Sequence, residues 1–146
     1  MLQLINAIRV DGDVPVVASG GMATADDVAR VLAAGAVAAQ LGTAFLLADE
    51  AGTHPTHRAA LCDEAFPDTV VTRAFTGRYA RALRNGFVDR YGNQAPFGFP
   101  QIGLMTAPLQ SAAGDTDDPN GMALWAGTNF RRARKASVAE IFRSLT

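Results

Sequence analysis

An α/β fold built on one βαβ unit is what this sequence predicts, and three observations predict it. Two short apolar segments, Val14–Ala18 and Ala36–Leu41, read as strands because they are short, β-branched or small, and bounded by Gly or Pro. Between them lies one amphipathic segment, with Val28, Val31 and Leu32 forming the apolar stripe of a helix. A helix joining two such strands makes a parallel pair with a right-handed crossover. Both strands then end on the same sheet edge, and each ends in glycine: Gly20-Gly21 after the first, Gly42-Thr43 after the second.

The elements follow in order. Leu4, Ile5 and Ile8 at helical spacing predict a lead-in helix over residues 1–12, and Asp11-Gly12-Asp13 reads as a turn. Pro15 sits near a strand start, where it is best tolerated. Thr24 is a natural N-cap, and Asp26 and Asp27 place negative charge in the first helical turn, which suits the helix dipole. Gly35 is the expected left-handed cap. Further helices are expected over residues 44–51 and 55–64. Thr69–Phe75 reads as a strand or extended segment. Tyr79, Leu83, Phe87 and Tyr91 recur every four residues and predict a helix with an aromatic face. Residues 93–100 are a Gly, Pro and aromatic loop, 104–113 a helix interrupted by Pro108, and 114–121 a polar, mobile turn. Ser137-Val138-Ala139-Glu140 is a capping box, and Val138, Ile141, Phe142 and Leu145 are the buried face of the helix it opens.

Composition narrows the function classes. The chain is 49% hydrophobic and 18% charged, as folded soluble domains are. Its net charge of −1 supplies no general attraction to nucleic acid or to an acidic membrane surface. No apolar run approaches the roughly 20 residues that span a bilayer, and the first residues carry no basic, cleavable signal. The single Cys62 excludes an intrachain disulfide, which fits the cytoplasm. A complete (β/α)8 barrel needs about 250 residues. At 146 residues this chain is expected to be a smaller α/β layer or one part of a larger architecture.

The chemistry centres on the two glycine turns. A phosphate needs several N–H donors converging with no side chain in the way, and Gly20 and Gly21 remove two β-carbons where a strand hands over to a helix. Gly42 and Thr43 repeat the device one strand along, with a hydroxyl added. Plain turn chemistry is the alternative for either pair alone; two in phase favour a phosphate site. His54 and His57 stand three apart beside Glu50, but no further Cys or His supports a metal, so surface or capping roles are expected. Cys62 reads as a small buried thiol. Arg73, Arg78, Arg81 and Arg84 read as a solvated helix face with ion pairs, with steering of an anionic ligand as the alternative. Arg131, Arg132, Arg134 and Lys135 read as a solvated stretch before the last helix. Trp125-Ala126-Gly127-Thr128-Asn129 is either a lid over a ligand or an aromatic plug for the core.

Ala18-Ser19-Gly20-Gly21-Met22, Ala33-Ala34-Gly35-Ala36 and Gln40-Leu41-Gly42-Thr43-Ala44-Phe45 together resemble the nitronate monooxygenase (2-nitropropane dioxygenase) family. Thr72-Arg73-Ala74-Phe75-Thr76-Gly77-Arg78, Ala80-Arg81 and Trp125-Ala126-Gly127 resemble its C-terminal region. The resemblance covers nearly all of this chain and only the C-terminal part of the family. It implies the last βα units of a TIM (β/α)8 barrel, an incomplete barrel, over residues 1–66, and a mostly helical or irregular segment over 67–146. It also implies FMN as cofactor, held through Gly20, Gly21, Gln40, Leu41, Gly42 and Thr43. The implied reaction is oxidation of a nitronate with O2, giving a carbonyl compound and nitrite. The family's catalytic histidine lies upstream of the Gly-Gly strand, where this chain has only about thirteen residues. His54 and His57 do not match it, so no catalytic residue is assigned and the isolated chain is expected to be inactive. Self-association, or a partner chain that completes the barrel, is expected. Another FMN barrel oxidoreductase of the enoyl reductase type is the alternative, as is a split chain acting only in assembly.

Overall fold

A computed structural model of the chain describes residues 1–11 and 14–146. The turn expected at Asp11-Gly12-Asp13 falls largely outside them. Two compact units divide the chain: Met1–Gly52 with Asn129–Thr146, and Thr53–Thr128.

The first unit opens with α1 (Leu2–Asp11), β1 (Val17–Ser19), α2 (Ala25–Ala33) and β2 (Ala38–Gln40). The expected βαβ unit is present: β1 and β2 pair in parallel, with Val17 opposite Ala38, Ala18 opposite Ala39 and Ser19 opposite Gln40. Thr24 caps α2 in a capping box, its hydroxyl accepting from the Asp27 N–H at 3.2 Å. Gly35 leaves the helix at φ +99°, as a left-handed cap requires. Ile5, Ala18, Met22, Val31 and Ala36 form one buried cluster beneath these elements.

Burial in this unit departs from the sequence expectation. The strands are three residues each and show one buried face, with Ala18 inside and Val17 53% exposed. Val14, Val37 and Leu32 are exposed too, so of the expected stripe only Val31 is fully buried. Strands of parallel sheets are ordinarily hidden on both faces by helices and further strands; here α1 and α2 cover one face of a two-stranded sheet.

The helix expected over 44–51 is a single 3₁₀ turn, Thr43–Phe45. Beyond it the chain is drawn into long-range pairing. Ala48 bridges in parallel to Ala136, and the Asp49 N–H donates to the Ala136 carbonyl at 3.0 Å. The Ser137–Glu140 capping box opens α6 (Val138–Arg143) as expected. Ile141 and Leu145 pack with Ala48, while Val138 and Phe142, expected inside, are exposed.

The second unit holds α3 (Pro55–Cys62), β3 (Thr69–Thr72), β4 (Ala80–Leu83), α4 (Gly86–Tyr91) and α5 (Gln101–Asp115). The helix expected to carry Tyr79, Leu83, Phe87 and Tyr91 divides into strand and helix. Residues 80–83 pair antiparallel with 69–72, Thr69 opposite Leu83. Asn85 then caps α4 by accepting from the Val88 N–H at 3.2 Å. Only Phe87 and Tyr91 share a helical face, their rings 4.7 Å apart. Four-residue spacing is also two strand periods, and the partner strand decided between them.

Phe75, fully buried, organises this unit. It stacks on Phe87 at 4.8 Å and meets the edge of Trp125 at 5.6 Å. Helix α5 runs unbroken through Pro108, which sits on its exposed side. Residues 114–121, expected to be mobile, are tied down: the Asn85 amide donates to the Pro119 and Met122 carbonyls at 2.7 and 2.8 Å, and the Thr56 hydroxyl donates to Asp117. Cys62 is exposed, not buried as expected, because α3 turns its Ala60 and Leu61 inward. No helix among the described residues is long and apolar enough to cross a membrane.

Candidate functional site

The parallel register brings the two glycine turns together. Its last pair is Ser19 opposite Gln40, so Gly20-Gly21 and Leu41-Gly42 leave from adjacent strand ends. The Ser19 hydroxyl, donating to the Gln40 carbonyl at 3.2 Å, ties the strand ends just below. Gly20 and Gly21 take φ +102° and +70°, the left-handed region that disfavours any side chain. Gly42 has an ordinary φ of −107° and precedes the Thr43–Phe45 turn without any side-chain cap. A β-carbon built on Gly20 or on Gly42 meets no atom within 4 Å. Gly20, Gly21, Gln40 and Gly42 are exposed, and Leu41 and Thr43 half-buried. Open space thus lies at the β-carbon positions of Gly20 and Gly42, on the edge where both turns leave the sheet.

The residues that lead into α2 are bound up by a side chain of the helix itself. The Asp27 carboxylate accepts from the Ala23 and Thr24 N–H groups at 3.0 and 3.1 Å and from the Thr24 hydroxyl at 2.9 Å. The Ala23 and Thr24 N–H groups are thus engaged within the loop. These bonds, first the one from Ala23, hold the Asp27 carboxyl below its ordinary value of 3.8, against a small opposing effect of burial. A group whose folded pKa is depressed contributes stability above its unfolded value and loses it as pH falls through the folded one. Asp27→Asn is accordingly expected to cost about 1 kcal/mol at neutral pH, the usual worth of a helix cap. The gap between variant and parent should close as pH drops below 3.8, checked by thermal unfolding at a series of pH values.

A third element joins the two turns, and local sequence patterns did not reveal it. The chain returns at Asn129, whose side-chain amide donates to the Gly21 carbonyl. The next residues form a 3₁₀ turn, Phe130–Arg132, that packs against the Thr43–Phe45 turn with Phe130 buried. Arg132, exposed, adds its charge to those that favour ionised Asp27. The stretch expected to be solvated does expose Arg131, Arg132, Arg134 and Lys135, while its turn is seated against the Thr43–Phe45 turn by buried Phe130. The only signal for this was the unusual Trp125–Asn129 run immediately before it.

The remaining candidates have structural duties within the second unit. His54 caps α3, its Nδ1 accepting from the Thr56 N–H at 3.3 Å. His57 is buried rather than at the surface; burial lowers its pKa, opposed by hydrogen bonding to the Trp125 backbone. The four arginines of residues 73–84 do not share a helix face. Arg84 pairs with Asp89 at 2.6 Å, Arg81 donates to Thr69, Arg73 lies over the rings of Tyr79 and Phe97, and Arg78 lies over Phe99. Trp125 bridges to Ala82 and packs on Phe75, the plug of the two alternatives within its own unit.

Comparison with known proteins places this architecture. A family model for nitronate monooxygenase matches residues 1–146. A nitronate monooxygenase of Pseudomonas aeruginosa is 34% identical over 147 aligned positions, covering 99% of this chain and 42% of the relative. A probable nitronate monooxygenase of Bacillus subtilis is 30% identical over 136 positions, covering 90% and 39%. Among solved structures, a nitroalkane oxidase from Streptomyces ansochromogenes superposes with a TM-score of 0.96 at 47% identity, covering 99% of this chain and 42% of that one. FabK from Thermotoga maritima superposes at 0.79 with 27% identity, covering 99% and 47%. The chain thus spans about two fifths of the length of the curated relatives it matches. With a family model matched from end to end and both glycine turns set side by side, this chain belongs to the nitronate monooxygenase family.

Proposed function

We propose that this chain carries the FMN-phosphate site of a nitronate-oxidising flavoenzyme. The observation that carries the reading is the parallel register, which ends with Ser19 opposite Gln40 so that both glycine turns leave from adjacent strand ends, with open space at the β-carbon positions of Gly20 and Gly42. The residues fit a phosphomonoester. Added β-carbons at Gly20 and Gly42 would project into free space, which leaves the backbone approachable by a bulky anion. In this reading Gly20, Gly21, Gln40, Leu41 and Gly42 contribute main-chain groups, and Thr43 adds its hydroxyl. When bound, FMN supplies the redox chemistry that takes a nitronate and O2 to a carbonyl compound and nitrite. The chain's own residues anchor and orient the cofactor by its phosphate. Nitronate rather than enoyl reduction is preferred because the likeness to the nitroalkane oxidase exceeds that to FabK in both superposition and identity.

Residues 1–66 are the βα units of a TIM barrel in this reading, and 67–146 the segment that follows them. Both of the chain's histidines, His54 and His57, serve the second unit, and neither is assigned as the base. In this reading the 146-residue chain by itself does not turn over. It is placed in the cytoplasm, in keeping with a single exposed cysteine.

Titrating the purified chain with FMN and with riboflavin, followed by flavin fluorescence, tests the phosphate site. A charge-assisted hydrogen bond is worth about 1.5–3 kcal/mol, so FMN should bind about 10- to 100-fold more tightly. Equal affinities would falsify the phosphate assignment. Nitronate-dependent oxygen uptake should be undetectable, and sustained turnover would overturn the inactivity.

The apolar Val14, Val17 and Val37 are exposed along a two-stranded parallel sheet. Unpaired strand edges invite further strands. The isolated chain is accordingly expected to elute from a sizing column as a self-associated species. A clean monomer across a range of concentrations would argue against a requirement for more strands.

A further inference from the structure

We infer that Asn129 is a positioning residue for the anion site: its amide selects the orientation of the Gly21–Met22 peptide that receives a phosphomonoester. The inference rests on the phosphate reading above and adds a residue from a distant part of the chain. Glycine places no β-carbon against either orientation of the peptide that follows it, so the Gly21–Met22 peptide is unrestrained on its Gly21 side. Gly20 and Gly21 are consecutive glycines, both at positive φ. In a planar trans peptide the C=O and the following N–H point in opposite directions. Holding the Gly21 carbonyl on Asn129 therefore aims the Met22 N–H away from Asn129. One side-chain bond thus holds the direction of a main-chain donor whose peptide is restrained from within the turn only on its Met22 side.

The surroundings favour a dedicated role for this contact. Asn129 is half-buried and bonds across 108 residues of sequence. The 3₁₀ turn that follows it is seated by buried Phe130 and packs against the Thr43–Phe45 turn, so the amide donor is held from both sides of the site. Arg132 sits on that same turn and counters Asp27. An anion lodged at the Gly20–Gly21 turn thereby meets less repulsion from the carboxylate that fills the end of α2.

The test uses the full 146-residue chain, with FMN and riboflavin as probes and flavin fluorescence as the readout. Asn129→Asp keeps the shape of the side chain and exchanges the donor for an acceptor; Asn129→Ala removes it. Both variants are expected to lose about 5- to 30-fold in FMN affinity, one hydrogen bond's worth or slightly more, with riboflavin affinity unchanged. Asn129→Gln, which retains an amide donor, should recover part of the preference. The Met22 and Gly42 amide resonances of the parent should shift on adding FMN, and the Met22 shift should be lost in Asn129→Asp. A parent that prefers FMN alongside an Asn129→Asp variant with the same preference overturns this inference and leaves the phosphate reading intact. A parent with no preference overturns both. Equal losses for FMN and riboflavin reduce Asn129 to a general structural contact and reject the positioning role.

Discussion

Gly42→Val is expected to lower FMN affinity by about 100-fold while changing the stability of the chain by no more than about 1 kcal/mol. The two halves of this expectation have separate causes. Gly42 has φ −107°, a conformation open to any residue, and an added β-carbon meets no protein atom within 4 Å. Folding therefore has little reason to resist the substitution. The same emptiness is what the phosphate reading assigns to the ligand, and a branched side chain would fill it and hold the anion away from the main chain. Losing a pair of charge-assisted hydrogen bonds of a few kcal/mol in total corresponds to about two orders of magnitude. Gly20 is a poorer place for the experiment, because at φ +102° any β-carbon is strained and lost binding would be mixed with lost stability. Calorimetric unfolding and FMN titration of Gly42→Val together decide the matter. Unchanged FMN affinity would mean that the space over Gly42 is not where the phosphate lies.

The second large effect is on stability. Phe75→Ala should destabilise the second unit by about 4 kcal/mol, within the range for emptying a buried aromatic site. Phe75 is fully buried, stacked on Phe87 and met edge-on by Trp125. Removing it leaves a cavity whose walls are themselves rings, too stiff to collapse into the space. Trp125 is the only tryptophan in the chain, so its fluorescence reports unfolding of this unit directly. Urea titration followed by tryptophan emission should show the midpoint falling sharply. Phe97→Ala serves as the control, since that ring is 69% exposed and its contacts are with exposed Tyr79 and with Arg73. A loss below 1 kcal/mol for Phe75→Ala would mean that the aromatic cluster repacks freely, contrary to its close ring contacts.

Much of the site was legible in the sequence because the rules involved are short-ranged. A strand, a helix of known hand and a second strand place two following turns on one edge. The register from Val17–Ala38 to Ser19–Gln40 is the outcome of that rule. Thr24, Gly35 and the Ser137–Glu140 box work through atoms within about four residues, and each acts as its spacing foretold. The errors have a common form. Of the helix expected at 79–91 only Gly86–Tyr91 formed, because residues 69–72 offered 80–83 a ladder, and the helix expected at 44–51 ended after one turn, beyond which Ala48 bridges to Ala136. Both competitors are distant in sequence. Burial faces failed likewise: Phe142 and Val138 carry the right periodicity, but which face of α6 is hidden depends on where Ala48 lies.

By itself the sequence determined the βαβ unit, its caps and the two glycine turns, because each follows from conformational preference and spacing over a few bonds. Only the tertiary structure decided that the Phe130–Arg132 turn packs against the Thr43–Phe45 turn. Only it showed Asn129 returning to grip the Gly21 carbonyl. Such a contact joins residues whose approach depends on how every intervening segment packs, and no local pattern encodes that sum.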